Sequence, residues 1–349
     1  YLYNTIDLIV MKILFIGQNK QSSKHKYLCL KELYKNVDII NAHKSFSFNQ
    51  VTERIFWHIS SKIFENQINN YILKKIKNNY DLIFVDSGEF ISRKLIIELK
   101  KRSKKIVYYC NDNPFVDRDK KRWKLSLDSL KYYDLIIFHN KSRIIPAKKL
   151  GIKKILLVLP SYQKDVHKPQ KIINKKRYNN NVIYIGTWEP ERGLFFKQLI
   201  ELGLKIKIYG IKWNKDKNYN FLKPYITLGH VNDPNYSKII YKSKIALCLP
   251  SVGNNDDITK KSIEIPAIGT LLCATRTKSH LKTFVEDKEA IFFKNAKECY
   301  LKCSNLLTNT KKIERISYKG HIKVTRMLKT DFESVIKKIV NITFDKNIA

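Results

Sequence analysis

The chain has 349 residues, 44% of them hydrophobic, and a formal net charge of +36 from 67 lysines and arginines against 31 aspartates and glutamates. This length allows two domains with packed cores, and the composition excludes a wholly disordered chain. The lysines are spread along the sequence with asparagine and isoleucine, and no zinc-finger spacing, helix-turn-helix or aromatic RNA-binding motif accompanies them. The charge therefore indicates a weak attraction to phospholipid head groups or anionic substrates, with nucleic acid not expected as the main partner.

The first ten residues do not have the features of a signal peptide. Tyr1–Val10 contains Asp7, has no basic start and offers no small-residue cleavage site. The sequence from Met11 to Gly17 has the character of a natural protein start, so we expect the preceding residues to be an appended or upstream-translated stretch. No apolar run reaches membrane-spanning length. We expect a cytoplasmic protein, with loose peripheral attachment at the inner face of the membrane.

Short apolar runs alternate with helical patterns through the first half of the chain. A long helix is predicted around Glu53–Lys77. The predicted strands are Ile13–Ile16, Val37–Ile40, Asp81–Val85, Ile106–Cys110, Leu135–Phe138 and Ile155–Leu159. This alternation is typical of βαβ units and a parallel sheet. Residues 11–165 are therefore predicted to form one Rossmann-like domain.

The stretch Pro160–Asn181 breaks this rhythm with prolines, lysines and an asparagine run, and we assign residues 166–181 as a linker. The alternation then restarts. The predicted strands are Val182–Ile185, Lys205–Tyr209, Tyr225–Leu228, Ile245–Leu249, Thr270–Ala274 and Ala290–Phe293. Residues 182–349, terminal helices included, are predicted to form a second domain. The fold class is α/β, with two doubly wound Rossmann-like domains facing a cleft, and ligands are expected at the carboxyl ends of the strands.

Six cysteines occur, and no two of them form a CxxC pair. Four lie in apolar runs and are predicted to be small core residues. Cys299 and Cys303 lie one helical turn apart, but the sequence shows no other ligands beside them, so we expect no metal site. This usage is typical of a reducing cytosol.

The stretch Asp257–Thr275 predicts a short helix, with Thr259 as its N-cap, followed at once by a buried strand. A helix N-terminus carries free N–H groups and a partial positive charge, which favour a phosphate. Lys261 stands near this terminus, and Glu264, one turn further in, could accept hydrogen bonds from sugar hydroxyls. The alternative is an amphipathic surface helix with an exposed Glu264.

A second candidate loop is Gly186–Gly193, where a strand runs into a glycine turn and a helix begins near Pro190. Arg192 lies in the first turn of that helix, where its charge opposes the helix dipole. Contact with an anionic ligand would explain this placement. The alternative explanation is a surface ion pair with Glu189 or another carboxylate.

Asp112 is the candidate catalytic residue of the first half. It follows an apolar strand directly and is flanked by Asn111 and Asn113. A carboxylate at this place could orient or deprotonate an acceptor hydroxyl. It could instead order the loop as the first residue of an Asx turn.

Residues 182–329 resemble the C-terminal domain of GT-B glycosyltransferases, most closely the group-1 branch that includes the CgeB-like spore-maturation proteins. The matching segments are Ile185–Arg192, Ile208–Gly210, Leu228–Val231, Ser243–Leu249, Thr259–Gly269 and Glu286–Phe293. The first half resembles the acceptor domain of that family only in its βα pattern and in short pieces such as Cys110–Pro114.

The resemblance implies a role for individual residues. Glu264 would bind the ribose hydroxyls of a nucleotide sugar, and Arg192 and Lys261 would hold its diphosphate. Asp256 stands eight positions before Glu264, where retaining relatives often carry a glutamate as a catalytic residue. The remaining implied donor-binding residues are Gly186 in the glycine turn and Gly229, His230 and Val231 beside the base.

The sequence thus predicts a glycosyltransferase that moves a sugar from a nucleoside diphosphate sugar to a glycan, lipid-linked or protein acceptor. No cofactor or metal is expected, because the helix terminus and basic side chains can hold the diphosphate charge. A second hypothesis is a catalytically inactive nucleotide-sugar-binding or surface-layer assembly protein of the same fold. A third, a basic nucleic-acid-binding protein, would bind with a steep salt dependence.

Overall fold

The computed structural model describes residues 10–18, 21–45, 51–52, 55–56, 59–170 and 177–345. The chain divides into two compact units. Of the described residues, those up to 159, 252–256 and those from 332 onward form unit 1, and those in 160–251 and 257–331 form unit 2. Each unit contains one six-stranded sheet whose strands are all parallel. The predicted fold class, α/β with two Rossmann-like domains, is confirmed.

The sheet of unit 1 has the strand order β2-β1-β3-β4-β5-β6. Its strands are β1 (Lys12–Gly17), β2 (Asn36–Asn41), β3 (Tyr80–Asp86), β4 (Ser103–Tyr109), β5 (Leu135–Phe138) and β6 (Ile155–Leu157). Side chains alternate between the two faces of a strand, so Leu14 and Ile16 enter one hydrophobic cluster while Ile13 and Phe15 enter the other. Both faces are therefore buried, which explains the continuous apolar runs in the sequence.

The α-helices of unit 1 whose full bounds lie within the described residues flank this sheet or its loops. They are α1 (Gln21–Leu33), α2 (Glu65–Lys75), α3 (Arg93–Lys100), α4 (Lys120–Trp123), α5 (Ile144–Lys149) and, at the end of the chain, α13 (Phe332–Phe344). The prediction of one long helix around Glu53–Lys77 is wrong in its extent, because helix α2 begins only at Glu65. A 3₁₀ turn at Ser61–Phe64, capped by the Ser60 hydroxyl, precedes α2.

The C-terminal helix differs from the expected domain division, because α13 belongs to unit 1. Phe332, Ile336 and Ile339 recur at helical spacing and are buried in the cluster that contains Ile13 and Leu30. Helix α13 also packs against α1. Its apolar stripe covers one face of the first sheet, a destination that periodicity along the chain does not reveal.

The sheet of unit 2 has the order β12-β11-β10-β7-β8-β9. Its strands are β7 (Asn180–Ile185), β8 (Ile206–Gly210), β9 (Ile226–Leu228), β10 (Ser243–Cys248), β11 (Leu271–Thr275) and β12 (Ile291–Phe293). Its helices are α6 (Pro190–Glu201), α7 (Tyr219–Leu222), α8 (Asn235–Tyr241), α9 (Lys260–Ala267), α10 (Lys278–Thr283), α11 (Ala296–Leu307) and α12 (Thr310–Ile322).

Strand order reverses between β7 and β10 in unit 2, and between β1 and β3 in unit 1. Ligands of open α/β sheets bind at such switch points, outside the carboxyl ends of the strands. Three sequence predictions fall partly outside the described residues. They are the appended stretch, of which 1–9 are not described, the helix around Glu53–Lys77, of which 53–54 and 57–58 are not, and the linker, of which 171–176 are not. No helix in the described ranges is long and apolar enough to cross a membrane.

Candidate functional site

The switch point of unit 2 is formed by the loop after β7 and by helix α9, which follows the end of β10. Helix α9 begins at Lys260 after its N-cap Thr259 and ends at Ala267, and Gly269 follows with a φ of +85°. A left-handed φ just past a helix end favours glycine. The predicted helix, its N-cap and its closing glycine are all confirmed.

A buried chain of hydrogen bonds fixes the start of α9. The Thr259 backbone N–H donates to Ser262 Oγ at 3.1 Å, and Ser262 Oγ lies 2.8 Å from His280 Nε2. His280 Nδ1 lies 2.8 Å from the Thr275 carbonyl oxygen and therefore donates to it, which leaves Nε2 to accept from Ser262. Burial lowers the pKa of His280, and the neutral ring suits this arrangement.

Lys261 lies in the first turn of α9 with its side chain half-buried. Its Nζ stands 5.4 Å from the ring centroid of Tyr184 and 2.9 Å from the place that a Cβ on Gly186 would occupy. Within the described ranges, no carboxylate oxygen lies within ion-pair distance of this ammonium group. Burial lowers the pKa of Lys261, and the charge of Arg192 adds to the effect.

Such a lysine is costly unless an anion compensates its charge. The site beside Gly186 also contains the Tyr184 hydroxyl, which is buried and has no hydrogen-bond partner among the described residues. A side chain on Gly186 would collide with that hydroxyl at 2.3 Å, so only glycine fits there.

Arg192 is buried, with 5% of its surface exposed. Its guanidinium donates to the carbonyl oxygens of Thr187 and, at 3.3 Å, of Leu249, and lies 3.1 Å from a Glu189 carboxylate oxygen. The ion pair with Glu189 is therefore present, although it is buried. Arg192 ties the loop after β7 to the end of β10, and its direct contact with a diphosphate stays a prediction.

Glu264 is anchored on one side, and 13% of its side chain is exposed. Its Oε2 accepts a hydrogen bond from the Tyr236 hydroxyl at 2.8 Å, while its Oε1 lies 3.9 Å from His167 Nδ1. Burial, together with the Glu264 charge, holds the pKa of Tyr236 well above its usual value, so the phenol stays protonated and donates. The alternative of an exposed surface glutamate is wrong.

His167 is a site neighbour that the sequence did not indicate, because it lies in the expected linker. It is 3% exposed and accepts from the Gln163 backbone N–H at 3.1 Å through Nδ1. Its Nε2 lies 3.6 Å from an Asp233 carboxylate oxygen. Tyr236 was also missed: it lies on α8, and only folding brings that helix beside α9.

The three residues predicted beside the base follow the edge strand β9. Gly229 and His230 are exposed and Val231 is half-buried. The Gly229 N–H donates to the Gly210 carbonyl at the end of β8, and a Cβ on Gly210 would lie 2.0 Å from the Gly186 carbonyl oxygen. The ends of β7, β8 and β9 thus approach one another at glycine residues. Among the described residues, no contact of the His230 ring supports a role in binding.

Asp256 lies in the segment 252–256 of unit 1. Its carboxylate pairs with Arg143 at 3.0 Å and accepts from Asn140 at 2.9 Å and Asn254 at 2.7 Å. Arg143 is fully buried and also donates to the Cys110 and Asn111 carbonyls. Burial raises the pKa of Asp256 to about 6 despite the hydrogen bonds and the arginine, which lower it.

Asp112 has an exposed carboxylate that lies 3.0 Å from Arg122 Nη1. The same guanidinium contacts Glu89 at 2.9 Å. The neighbouring Asn113 makes the Asx-type contact, because its Oδ1 accepts from the Phe115 N–H at 3.1 Å. The Asx-type contact that we considered for Asp112 is therefore made by Asn113. The Asp112 carboxylate instead forms an ion pair with Arg122.

At the switch point of unit 1 a small cavity lies beside the ends of β1, β2 and β3. Gln18 contacts His43, whose Nε2 lies 3.7 Å from a carboxylate oxygen of Glu89. Glu89 is 2% exposed. His43 and Glu89 could not be predicted as site residues, because neither directly ends a predicted strand.

Comparisons with known proteins agree with this architecture. Residues 192–331 match the family model described as glycosyl transferase-like. Sucrose-phosphate synthase from Thermosynechococcus elongatus superposes with a TM-score of 0.68 at 10% identity, covering 95% of this chain and 98% of that one. HepE of Anabaena in complex with UDP-glucose superposes with a TM-score of 0.65 at 11% identity, with the same coverage of both chains.

An E. coli protein described as trehalose-6-phosphate, bound with UDP-2-fluoro glucose, has a TM-score of 0.61 at 12% identity and covers 95% of this chain and 99% of that one. No curated protein sequence matches the chain. The fold is that of GT-B glycosyltransferases. Together with the match over 192–331, it supports a glycosyltransferase of that type.

Proposed function

We propose that this protein is a GT-B glycosyltransferase that transfers a sugar from a nucleoside diphosphate sugar held by unit 2. The observation that carries the proposal is the juxtaposition of Lys261 and Glu264 at the switch point of unit 2. Lys261 has no carboxylate partner in the part of the chain that the structure describes, and Tyr236 anchors Glu264. A cation for a diphosphate and a carboxylate for a sugar hydroxyl lie one helical turn apart on α9. The CgeB-like branch is the finer assignment that we propose.

The diphosphate would lie at the start of α9. Cleavage of the sugar–phosphate bond leaves negative charge on the departing phosphate, and fixed positive groups stabilise this charge without reorganising. Lys261 and the N–H groups of the helix start supply such charge. Arg192 contributes by holding the glycine turn that leads to Gly186. This arrangement would work without a divalent ion, so activity should persist in a metal chelator.

The ribose would lie against Glu264. The Tyr236 hydroxyl donates to Oε2, while Oε1 lies 3.9 Å from His167 Nδ1 and accepts no hydrogen bond from the described residues. A carboxylate oxygen can accept further bonds, so Oε1 is suited to the two ribose hydroxyls. The base would then extend toward Gly229, His230 and Val231 at the end of β9. UDP-glucose is the first donor to test, because HepE binds it.

The acceptor would be a glycan, a lipid-linked saccharide or a protein hydroxyl bound by unit 1. Asp112 and Asp256 are the carboxylates that we propose for catalysis. Asp256 is the better placed to change protonation state near neutral pH, because its pKa is raised to about 6. The net charge of +36 supports contact with an anionic membrane surface, and vesicle sedimentation with and without anionic lipid would test it.

The second candidate is a nucleotide-sugar-binding or surface-layer assembly protein that has lost catalysis. The contacts of Asp256 favour it, since Arg143, Asn140 and Asn254 already occupy this carboxylate. Release of nucleoside diphosphate from the donor, by transfer or by hydrolysis, separates the two candidates. An enzyme releases it catalytically, whereas a binding protein does not.

The deciding experiment is calorimetric titration with UDP-, GDP-, ADP- and TDP-glucose. We expect one of the four to bind, and Glu264→Ala to weaken that binding by about tenfold or more. Glu201→Ala is the matched control, because Glu201 is an exposed glutamate on α6 of the same unit. Unchanged affinity in a folded Glu264→Ala variant would exclude the proposed ribose contact.

A further inference from the structure

Three cysteines meet in the core of unit 2. Cys273 lies on β11, and Cys299 and Cys303 lie one turn apart on α11. All three are fully buried, and their Sγ atoms lie within 4.8 Å of one another. Cys273 Sγ and Cys303 Sγ are 3.8 Å apart. The expectation that no ligand accompanies Cys299 and Cys303 is therefore wrong, because the sheet brings Cys273 beside them.

Packing alone accounts for the burial of these residues but not for their convergence. Ala296, Cys299, Cys303 and Leu306 form the apolar stripe of α11, and cysteine commonly serves as a small core residue. Alanine or valine is also a small apolar residue suited to such positions. Three thiols converging on one point add something that packing does not require, namely three soft ligands for one ion.

We propose that Cys273, Cys299 and Cys303 form a binding site for one trivalent thiophilic ion of the arsenic(III) class. Three thiolates bound to one arsenic(III) ion at a bond length of about 2.3 Å lie about 3.5 Å apart, because the arsenic lone pair makes the centre pyramidal. The 3.8 Å between Cys273 and Cys303 is close to that spacing. Rotamer adjustment of these side chains would complete the site.

Charge selects the oxidation state of the ion. The three sulfurs lie in a cluster with Leu271, Phe293 and Ile313, where a net charge would be costly. Three thiolates leave a net charge of about −2 with a monovalent ion and −1 with a divalent ion, but none with a trivalent ion.

Binding is then an exchange of ligands without oxidation or reduction. Arsenous acid, As(OH)₃, meets three thiols: three As–O bonds break, three As–S bonds form, and three thiol protons leave with the three hydroxides as water. The product joins β11 to α11 through a neutral centre. Because the sulfurs are fully buried, the ion enters when α11 lifts or during folding, so native loading is slow and refolding in arsenite is fast.

The test uses the full chain, reduced with a phosphine because a dithiol reductant would compete. The protein is refolded with sodium arsenite and freed of excess reagent. We expect intact mass to show one arsenic with loss of three hydrogens, the arsenic X-ray absorption edge to show three sulfur neighbours and no oxygen, and thermal unfolding to shift upward. Absence of retained arsenic, or a centre with two sulfurs and one oxygen, overturns the proposal.

Two further arms make the assignment specific. Cys299→Ala should abolish the three-sulfur signal, while Cys110→Ala, which removes a buried cysteine of unit 1, should leave it unchanged. Equimolar Zn²⁺ should not displace the arsenic, because the divalent complex would be charged, and displacement would refute the charge argument. If a variant fails to fold, the arsenic X-ray absorption spectrum of the wild type still tests the proposal. None of these outcomes depends on the proposed transferase activity.

Discussion

The hydroxyl of Tyr236 donates a 2.8 Å hydrogen bond to Glu264 Oε2. The phenol lies on α8 and the carboxylate on α9, so this bond orients the proposed ribose ligand from a neighbouring helix. Tyr236 is 9% exposed, which protects the bond from competing water. A carboxylate held in this way needs less reordering when a sugar binds, and preorganisation of this kind increases affinity.

Tyr236→Phe should weaken donor binding while leaving the fold intact. The ring remains and only the hydroxyl is lost, so we expect a cost of about 1 kcal/mol, roughly a fivefold rise in Kd. Calorimetric titration with UDP-glucose measures it. Tyr318→Phe, at an exposed tyrosine of unit 2, is the control and should bind like the wild type. Equal Kd values for the two variants would show that the bond does not support binding.

Lys261→Met should separate affinity for the diphosphate from affinity for the nucleoside. We expect UDP binding to fall by roughly tenfold or more while uridine binding stays unchanged, because only the phosphates meet the ammonium group. Thermal stability should hold or rise, because burial disfavours this charge in the empty protein and lowers its pKa.

Lys278→Met, at an exposed lysine on α10, is the matched control for that variant. It should alter neither affinity. If Lys261→Met weakened uridine and UDP binding equally, the lysine would act on the shape of the site and not on the phosphates.

The sequence predicted the two sheets well, because parallel strands buried on both faces leave continuous apolar runs between turn residues. It failed for helix α13. The stripe of Phe332, Ile336 and Ile339 shows that one face is buried, but the same periodicity fits either sheet. The choice between the two sheets depends on tertiary packing alone, and the stripe packs against Ile13 and its neighbours in the first sheet.

The candidate site shows the same division between local and distant information. Lys261 and Glu264 could be placed from local signals, namely an N-cap, a helix period and a closing glycine. Tyr236 and Cys273 could not, because each meets its partners through contacts between elements that the chain does not join directly. The role of Arg192 could not be decided from the sequence, because an arginine at this position can either form an ion pair with a neighbouring carboxylate or bind an anionic ligand.

His280→Asn should reduce the pH dependence of stability. In the folded protein, burial holds the pKa of His280 below its ordinary value of 6.5. As the solution becomes acidic, His280 therefore takes up a proton in the unfolded chain at a higher pH than in the folded chain. The contribution of His280 to the free energy of unfolding is therefore fully present above about pH 6.5 and is lost as the pH falls below that value. The asparagine amide can still donate to the Thr275 carbonyl.

Thermal unfolding between pH 5 and 8 measures the effect, with His230→Asn as the control at an exposed histidine. The difference in Tm between wild type and His280→Asn should shrink steadily toward pH 5. A difference that stayed constant over this range would mean that His280 does not titrate on unfolding.

Asp256→Asn should change the pH profile of donor turnover. The pKa of Asp256 is raised to about 6, so an active carboxylate at this position gives a rate that climbs through pH 6. The variant should lose that acidic limb and turn over more slowly at pH 7.5. Asp128→Asn, at an exposed aspartate of unit 1, should keep the wild-type profile. An unchanged limb in Asp256→Asn would assign the titration to another group.

Ile336→Ala should destabilise unit 1 and leave nucleotide binding by unit 2 intact. Ile336 is 1% exposed in the cluster shared with Ile13, so truncating it leaves a cavity that costs about 2–5 kcal/mol. Ile145→Ala, at an isoleucine of unit 1 that is 69% exposed, should cost little. Differential scanning calorimetry with and without UDP gives both quantities. Because α13 is part of the first hydrophobic core, the transition weakened by Ile336→Ala should be the one that UDP does not raise, and weakening of the UDP-stabilised transition instead would contradict the placement of this helix.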